Sequence, residues 1–336
     1  MNFRKVFYYF IIFLSCIVIL ASLLSLIYDL PYWYSKVLDF PRLQYWILAS
    51  ICLIIFAFLT RKWKWPSILL ASGLVAAIAI QSIRILPYWF GSKTVPDAAE
   101  NFSEENAVSI LLSNVLIDNR ESAKLLKTVK DSDPDIFLAM EVDQWWLDEL
   151  AILKENYPYF MEEPNDQAYG MALYSKLPLK EKTLKYLKHK DVPSFHAKVE
   201  MNSGNTFMLH AVHPVAPMPS DKYPDNVGEA EVALLKVGDL VAKNQSPSLV
   251  AGDLNDVSWS HTSRLFEQSG DLRNVRIGRG LFNSFDATSK IMRWPLDHFF
   301  VTKEFHVADL KKLGKVGSDH FPLYAKFVLK SDFSDQ

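Results

Sequence analysis

Long uninterrupted apolar runs in the first quarter of the chain predict three membrane-crossing helices. Residues 6–28, 43–60 and 65–83 contain no charged side chain. Each run is long enough for a helix to cross a hydrocarbon core of about 30 Å, and aromatic residues crowd the run ends, as expected at a membrane–water boundary. We therefore predict a membrane anchor over residues 1–90. The alternatives are two spans, or a cleaved signal peptide followed by buried helices, although the first run is longer than the apolar part of a typical signal peptide.

Basic residues beside the apolar runs predict the orientation of this anchor. Arg4 and Lys5 precede the first run, and Arg61, Lys62 and Lys64 lie in the short loop before the third. Because cytoplasmic loops carry an excess of Lys and Arg, the N-terminus and this loop are predicted to be cytoplasmic. Three crossings then leave the remainder of the chain outside the cytoplasm. Two basic residues just after the third run weakly favour the opposite orientation.

Beyond residue 105 the pattern changes to short strands that alternate with amphipathic helices. Residues 91–105 are polar, contain a proline and lack apolar periodicity, which is typical of a linker. Runs rich in β-branched and aromatic residues predict strands at 107–115, 135–142, 169–176, 194–201, 206–214, 248–255, 297–305 and 321–329. Apolar residues spaced by three and four predict helices at about 120–130, 143–154, 226–243 and 259–269. The interpretation is an α/β domain over residues 106–330 with a large sheet content.

Charge and cysteine content separate the same two parts of the chain. Residues 1–94 carry 11 charged side chains and no histidine, whereas the remainder has 27 Lys and Arg against 36 Asp and Glu, a net charge of −9, and all eight histidines. An acidic domain is poorly suited to tight, nonspecific binding of nucleic acid, which depends on cationic contacts to phosphates. Both cysteines lie in the apolar part, so the charged domain has neither a disulfide nor a cysteine-based zinc site.

Polar side chains recur where the predicted strands end or begin. Taken singly, each has an ordinary explanation as a turn residue or a helix cap. The repetition on strand after strand is not explained in that way, and converging polar groups at strand ends are where α/β folds place their ligands. The residues are Asn114, Glu141, His213, Asp253, Asn255, Asp297, Asp319 and His320.

The oxygen-rich members of this set suit metal-assisted attack of water on a phosphoester. Mg²⁺ takes hard oxygen ligands and typically uses one or two carboxylates, which Glu141 and Asp319 can supply. Asp253 can accept a proton from the attacking water, and Asn255 can hold that water or a phosphate oxygen. Because these two residues are two apart, an extended chain would put both side chains on one face.

A histidine supported by an aspartate completes the predicted chemistry. An imidazole that donates to a phosphoryl oxygen would stabilise the charge that develops in the transition state. A carboxylate behind it would fix its tautomer and keep it cationic. His320 with Asp297 is the candidate pair. The metal would contribute charge neutralisation and an activated nucleophile.

The order of these motifs resembles the endonuclease/exonuclease/phosphatase superfamily, a group that includes deoxyribonucleases, abasic-site endonucleases and neutral sphingomyelinases. The resemblance covers roughly residues 105–330. It is carried, in this order, by SNV, DIFLAMEV, YGMALYSKLPL, HAVHPVAP, VAGDLND, LDHFFV and GSDHFPL. Each motif alone is weak, but seven in sequence are specific. Two departures are Met140, where relatives often have glutamine, and Lys176, where arginine is common.

The resemblance implies a fold and a role for each site residue. The fold is a four-layered α/β sandwich of two stacked mixed sheets flanked by helices, preceded here by the three-helix anchor. The implied metal, Mg²⁺ or Mn²⁺, is held by Glu141 with Asn114 and Asp319 beside it. The implied catalytic set comprises Asp253 as the base, Asn255 as a phosphate contact, His213 and His320 flanking the scissile phosphate, and Asp297 supporting His320.

The leading hypothesis is a membrane-anchored, divalent-metal-dependent phosphoesterase that hydrolyses a phosphodiester in the manner of a nuclease, by in-line attack of water. Its expected partners are the phosphoester substrate, nucleic acid or phospholipid, and the bilayer; the sequence indicates no protein partner. The best nucleic-acid-binding cluster is the lysine run of residues 180–190, which we interpret as a solvated edge. The alternative is a lipid phosphodiesterase or phosphatase at the membrane surface, where residues 213–219 could meet headgroups. A binding or scaffold module without activity is disfavoured, because every expected catalytic position is filled.

Overall fold

Three long helices pack together in the N-terminal part of the chain. The computed structural model describes residues 3–27, 32–225 and 232–330. The helices are α1 (Phe3–Leu24), α2 (Trp33–Val37), α3 (Arg42–Leu59), α4 (Trp65–Ile85) and α5 (Pro87–Phe90). Helices α1, α3 and α4 are long and apolar enough to cross a membrane. Only 22% of each apolar window is buried, so most of the apolar side chains of these helices face outward. The three predicted helices are confirmed, and Tyr28, at the end of the first predicted span, lies outside the described residues.

A buried polar cluster ties the three long helices together at one end. Arg42 is completely buried and donates to Gln81 Oε1 at 2.9 Å and to the carbonyl oxygen of Ser25 at 3.0 Å. It also forms an ion pair with Asp39. Gln81 donates in turn to Ser22 Oγ at 3.0 Å. Because buried polar groups are costly unless they are paired, this cluster fixes the relative positions of the helix ends. We call these five helices the helical bundle.

Basic residues gather at the other end of the helical bundle. Arg4 and Lys5 line the same cavity as Arg61 and Lys62, which follow α3. The polar cluster around Arg42 lies at the opposite ends of the helices, where the chain continues into the rest of the protein. The helical bundle therefore has one strongly basic end and one end that faces the C-terminal domain.

The C-terminal domain is built from two six-stranded sheets. The strands are β1 (Ala107–Asn114), β2 (Ile136–Met140), β3 (Tyr159–Glu163), β4 (Met171–Ser175), β5 (Leu179–Tyr186), β6 (Pro193–Glu200), β7 (Thr206–Val212), β8 (Ser248–Asp253), β9 (Arg273–Asn274), β10 (Asp297–Val301), β11 (Phe305–Lys312) and β12 (Leu323–Leu329). The first sheet has the order β11-β12-β1-β2-β4-β3 and the second β5-β6-β7-β8-β10-β9. Each sheet contains one parallel pair, β1 with β2 and β7 with β8, and antiparallel pairs elsewhere.

Helices cover the outer face of each sheet, which confirms the four-layered α/β sandwich. The inner faces of the two sheets form one large apolar core. The helices of this domain are α6 (Ser122–Ser132), α7 (Gln144–Leu150, continued by a 3₁₀ turn Ala151–Glu155), α8 (Ala233–Asn244) and α9 (His261–Ser269). A second apolar cluster packs α6 and α7 on the first sheet, and a third packs α8 and α9 on the second. The first six residues of the helix predicted at 226–243 lie outside the described residues.

The strands that the sequence pattern missed lie mostly at sheet edges. Strands β3 and β5 are the outer strands of their sheets, and most of their side chains are exposed or half-buried, so they lack the apolar signal of a buried strand. The lysine run begins on β5, and lysine on an outer strand discourages pairing with other chains. The predicted strand 297–305 is divided into β10 and the start of β11 by a turn.

The segment predicted as a linker lies against the C-terminal domain. Within residues 91–105, the side chain of Val95 is completely buried. The amide of Ala98 donates to the carbonyl of Val307 at 2.9 Å, and the amide of Val307 donates to the carbonyl of Pro96 at 2.9 Å. These main-chain bonds add the segment to the edge of the first sheet beside β11. The connection between the helical bundle and the domain is therefore short and held in place.

An apolar cluster joins the helical bundle to the C-terminal domain. Tyr88 of the bundle packs edge-on against Trp259, with ring centroids 5.7 Å apart. Trp259 Nε1 also donates to the carbonyl of Asp39 at 2.7 Å. Phe40 and Ile85 of the bundle are buried in the same cluster. The helical bundle therefore covers the face of the domain that carries residues 254–260 and 281–296.

Candidate active site

The fold brings all eight predicted site residues to one end of the sandwich. Parallel strands β1 and β2 end there, as do β7 and β8. Strand β10 runs antiparallel to β8 and starts opposite its last residue, while β12 runs antiparallel to β1 and starts at the same end. This topology collects Asn114, Glu141, His213, Asp253, Asn255, Asp297, Asp319 and His320 from both sheets.

Asn114 connects two carboxylates across the two sheets. Its Nδ2 donates to Glu141 Oε1 at 2.7 Å and to Asp253 Oδ2 at 3.1 Å. Its Oδ1 accepts from the amide of Leu116 at 2.9 Å, so the turn explanation for this residue also holds. Glu141 has a φ of +62°, and its Oε2 accepts from the amide of Ile117 at 3.2 Å. The amide group of Asn114 thus holds the two acids side by side.

The chain turns sharply after Asp253, which differs from the extended geometry we expected. Asn255 has a φ of +51°, and its amide donates to Asp253 Oδ1 at 2.9 Å. The side chain of Asn255 donates to the carbonyl of Pro214 at 3.0 Å. Asparagine favours this turn because its side chain tolerates the left-handed region. Helix α9 is capped by Ser260, so Asp253 and Asn255 do not serve as its caps.

His320 and Asp297 form a buried pair next to Asp253. His320 Nδ1 lies 2.7 Å from Asp297 Oδ2, and His320 Nε2 lies 3.5 Å from Asp253 Oδ2. Burial lowers the pKa of His320, but the carboxylates of Asp297 and Asp253 outweigh it and raise that pKa to about 10. Burial raises the pKa of Asp297, yet the His320 charge and hydrogen bond hold it below its usual value. At neutral pH the pair is imidazolium and carboxylate.

His213 approaches Asp253 from the other side. Its Nε2 lies 3.8 Å from Asp253 Oδ2, and its ring stacks at an angle on Tyr169, with centroids 5.1 Å apart. Burial and the charge of His320 lower the pKa of His213 to about 3, so this imidazole is neutral. Its Nδ1 is buried with no partner among the described residues. A neutral imidazole can donate from one ring nitrogen and accept at the other.

The donor set fits a hard divalent cation. Burial raises the pKa of Glu141, Asp253 and Asp319, and a cation beside them would remove that cost. Oxygen donors of this kind suit Mg²⁺ or Mn²⁺. Ligand atoms of Asp253, Asp297 and His320 also lie within 4.8 Å of one another. His320 is protonated beside Asp297 and would have to lose a proton before its imidazole could bind a metal, so Glu141 and Asp319 are the better candidates.

Three residues that shape the site had no role in the prediction from sequence. Phe285 lies with its ring 5.0 Å from that of His320, and Ser284 Oγ accepts from the amide of Asp297 at 3.1 Å. Both lie between elements, where no periodic pattern marks them. Tyr169 lies in a motif noted above, and its hydroxyl accepts from the amide of Ala216 at 3.3 Å. Its position at the start of a predicted strand was the only signal.

Comparisons with known proteins identify the family and the fold. The model of the Endonuclease/Exonuclease/phosphatase family matches residues 111–320. No curated protein matches the chain. The catalytic domain of human Nocturnin with bound sulfate superposes with a TM-score of 0.54 at 17% identity, over 67% of this chain and 95% of that one.

Two further solved structures share the fold. An endonuclease/exonuclease/phosphatase from Bacteroides vulgatus has a TM-score of 0.54 at 18% identity, over 67% of this chain and 99% of that one. Humanized D. rerio TDP2 has a TM-score of 0.51 at 15% identity, over 66% of this chain and 99% of that one.

Proposed function

The chain belongs to the endonuclease/exonuclease/phosphatase family, and from that premise we propose that it is a membrane-anchored, divalent-metal-dependent hydrolase that cleaves a phosphodiester with water. The observation that carries the proposal is the position of Asp253. Its Oδ2 lies 3.8 Å from His213 Nε2, 3.5 Å from His320 Nε2 and 3.1 Å from Asn114 Nδ2. One carboxylate is thus surrounded by the groups needed to move a proton and stabilise charge.

Asp253 is proposed to accept the proton of the attacking water. Burial raises the pKa of its carboxyl group, which makes the carboxylate a stronger base than an exposed aspartate. The water oxygen then forms a bond to phosphorus as the bond to the leaving oxygen breaks in line. Asn255, held by the turn and by Pro214, is proposed to contact a phosphate oxygen.

The two histidines are proposed to play different parts. His320 is kept cationic by Asp297 and can stabilise the negative charge that grows on the phosphoryl oxygens. His213 is neutral and can donate one hydrogen bond to the same group. The different pKa directions of the two imidazoles support this division.

The metal, Mg²⁺ or Mn²⁺, would be held by Glu141, with Asn114 and Asp319 beside it, and would neutralise phosphoryl charge. Asn114 directs its amide group at Glu141 and Asp253 in this structure. Its first contribution is therefore to position those two acids. Direct binding of the metal by Asn114 Oδ1 remains a prediction.

A lipid phosphodiester is a second candidate substrate beside the nuclease-like one. A small cavity of about 70 Å³, partly open to solvent, is lined by Ser25 and Ile27, which directly follow α1, and by Val215 and Asn255. Because this cavity adjoins both the end of a membrane-length helix and a proposed phosphate contact, it favours a substrate that is itself in the bilayer. The basic end of the helical bundle lies away from the domain, which supports an extracytoplasmic domain under the positive-inside rule.

The test uses the full chain in phosphatidylcholine nanodiscs. Hydrolysis of bis-(p-nitrophenyl) phosphate, plasmid DNA and sphingomyelin would be measured with Mg²⁺ and with EDTA. We expect EDTA to abolish turnover and Asp253→Asn to reduce it by about 10²-fold or more. Asp239→Asn, a matched change on an exposed helix position, should leave it unchanged.

The three substrates decide between the candidate functions. Preference for DNA supports the nuclease-like function, and preference for sphingomyelin supports the lipid one. A folded protein that binds Mg²⁺ and turns over none of them would contradict the proposed hydrolase and favour a binding module. Full activity in Asp253→Asn would refute the role of the base.

A further inference from the structure

Three cationic side chains surround one aromatic ring directly after His320. Lys312 Nζ lies 4.4 Å from the centroid of the Phe321 ring, Arg293 Cζ 5.0 Å and Lys315 Nζ 5.9 Å. A ring attracts a cation at its face. Three like charges held around one ring also repel one another. We call these three residues the cationic cluster.

The cationic cluster is not neutralised by neighbouring acids. Within the described part of the chain, none of its three members has a carboxylate oxygen within 4.0 Å. The side chain of Arg293 donates instead to the carbonyl of Ser289 at 2.6 Å. Burial, followed by the charge of Arg293, lowers the pKa of Lys312, as expected for a cation that lacks a counter-charge. Grouped positive charge of this kind attracts an anionic ligand.

The cluster lies beside the end of a membrane-length helix. Gln44, in the first turn of α3, donates from Nε2 to the carbonyl of Ile291 at 3.0 Å. Phe40, which precedes α3, packs edge-on against Trp294 with centroids 5.8 Å apart. Residues 289–293 are thus held at the level where α3 begins its apolar run.

Residues 289–293 combine apolar exposure with positive charge. The side chain of Ile291 is 76% exposed and that of Met292 is 44% exposed. Lys290 precedes this pair and Arg293 follows it. Exposed apolar side chains flanked by cations suit the boundary between acyl chains and anionic headgroups.

We propose that residues 289–293 and the cationic cluster form a second contact with the bilayer, which binds the phosphate groups of anionic phospholipids. This contact would hold the end of the domain that carries His320 at the level of the headgroups. The inference rests on the proposed membrane anchoring and is independent of the reaction catalysed. Nucleic acid is the competing anion, but the exposed Ile291 and Met292 would gain nothing from a phosphodiester backbone.

The test measures the environment of residue 291 in the full chain. Ile291→Cys in a Cys16→Ser/Cys52→Ser background is labelled with bimane and placed in nanodiscs of phosphatidylcholine, with or without about 30% phosphatidylglycerol. We expect the anionic lipid to lower quenching by aqueous iodide about threefold and to permit quenching by brominated acyl chains. When Arg293→Gln, Lys312→Gln and Lys315→Gln are introduced together into the labelled protein, the anionic lipid should no longer change the quenching.

A charge-matched triple variant provides the control. Lys180, Lys182 and Lys198 lie on β5 and β6 at the end of the second sheet away from the site, and their replacement by Gln should preserve the lipid effect. Equal loss in both triple variants, or persistence in the cluster variant, would overturn the proposal. Protection of the label by a DNA oligonucleotide in pure phosphatidylcholine would also overturn it, in favour of a nucleic-acid site.

Activity separates this inference from the proposed hydrolase. Bis-(p-nitrophenyl) phosphate is small and soluble, so its hydrolysis does not need the bilayer contact and should survive in the cluster variant. Absence of turnover in every sample would refute the hydrolase, while the bimane signal would still decide the bilayer contact.

Discussion

At the scale of single residues, the candidate site places four carboxyl groups beside one imidazolium. Glu141, Asp253, Asp297 and Asp319 all lie at the same end of the sandwich, and the last three raise the pKa of His320. A buried carboxylate is costly unless it is paired or protonated. The different directions of the pKa shifts therefore predict which member of the set carries charge.

The first prediction concerns Asp297→Asn. Burial lowers the pKa of His320 while the charge and hydrogen bond of Asp297 raise it, so removal of that charge should lower the pKa from about 10. The cationic form of His320 is present below its pKa and is lost as pH rises through it. The alkaline limb of kcat/KM for bis-(p-nitrophenyl) phosphate should therefore move to lower pH. An unmoved alkaline limb would exclude His320 as the titrating group.

The second prediction concerns Asn114→Ala. The amide group of Asn114 holds Glu141 and Asp253 together, and loss of such a positioning group typically costs 10–100-fold in metal affinity or activity. The Mg²⁺ concentration for half-maximal activity should rise by about 10-fold or more. Ser113→Ala is the control, because adjacent strand residues point to opposite faces. An equal effect of both changes would contradict this role.

At the scale of the elements, the close contact of β7 and β8 shapes the turn that carries the site. A Cβ added at Gly252 would lie 1.7 Å from the carbonyl oxygen of Val212, the last residue of β7. A side chain there must displace main chain rather than a flexible neighbour. Only glycine allows β8 to end so close to the strand that carries His213 into the site.

The third prediction follows from this contact. Gly252→Ala should lower the free energy of unfolding by about 2–4 kcal/mol, and thermal unfolding followed by circular dichroism would measure it. Gly314→Ala is the matched control, since an added Cβ there would meet no atom within 4 Å. A change at Gly252 no larger than that at Gly314 would show that the two strands are less closely packed than described.

The elements also show what sequence patterns can and cannot predict. Buried strands such as β1, β2 and β8 carry continuous apolar runs, and each was predicted within two residues of its ends. Strands β3 and β5 were not predicted, because exposed edge strands need few apolar side chains. The eight candidate site residues were predicted from the polar groups at strand ends. Their exact geometry did not, because the positive φ of Asn255 and the contact of Phe285 with His320 depend on tertiary packing.

At the scale of the whole molecule, the helical bundle and the C-terminal domain share an apolar cluster next to the site. The loop that follows Asp253 and Asn255 continues to Trp259, which packs on Tyr88 and donates to the carbonyl of Asp39. The bundle therefore supports the loop that carries the proposed base. This arrangement makes the bundle part of the structural unit of the site as well as the proposed membrane anchor.

The fourth prediction tests this dependence through Trp259, which is 3% exposed. Trp259→Ala in the full chain should remove the ring and its hydrogen bond, at a cost of about 3–5 kcal/mol, and lower the midpoint of thermal unfolding by about 6–15 °C. Trp259→Phe keeps most of the ring and should lose only about 1 kcal/mol through the missing N–H donor. Trp63→Ala, at the opposite end of the helical bundle and 49% exposed, should change the midpoint little. If Trp259→Ala and Trp63→Ala had equal effects, the bundle would not pack on the domain as described, and the site would have to be stable without it.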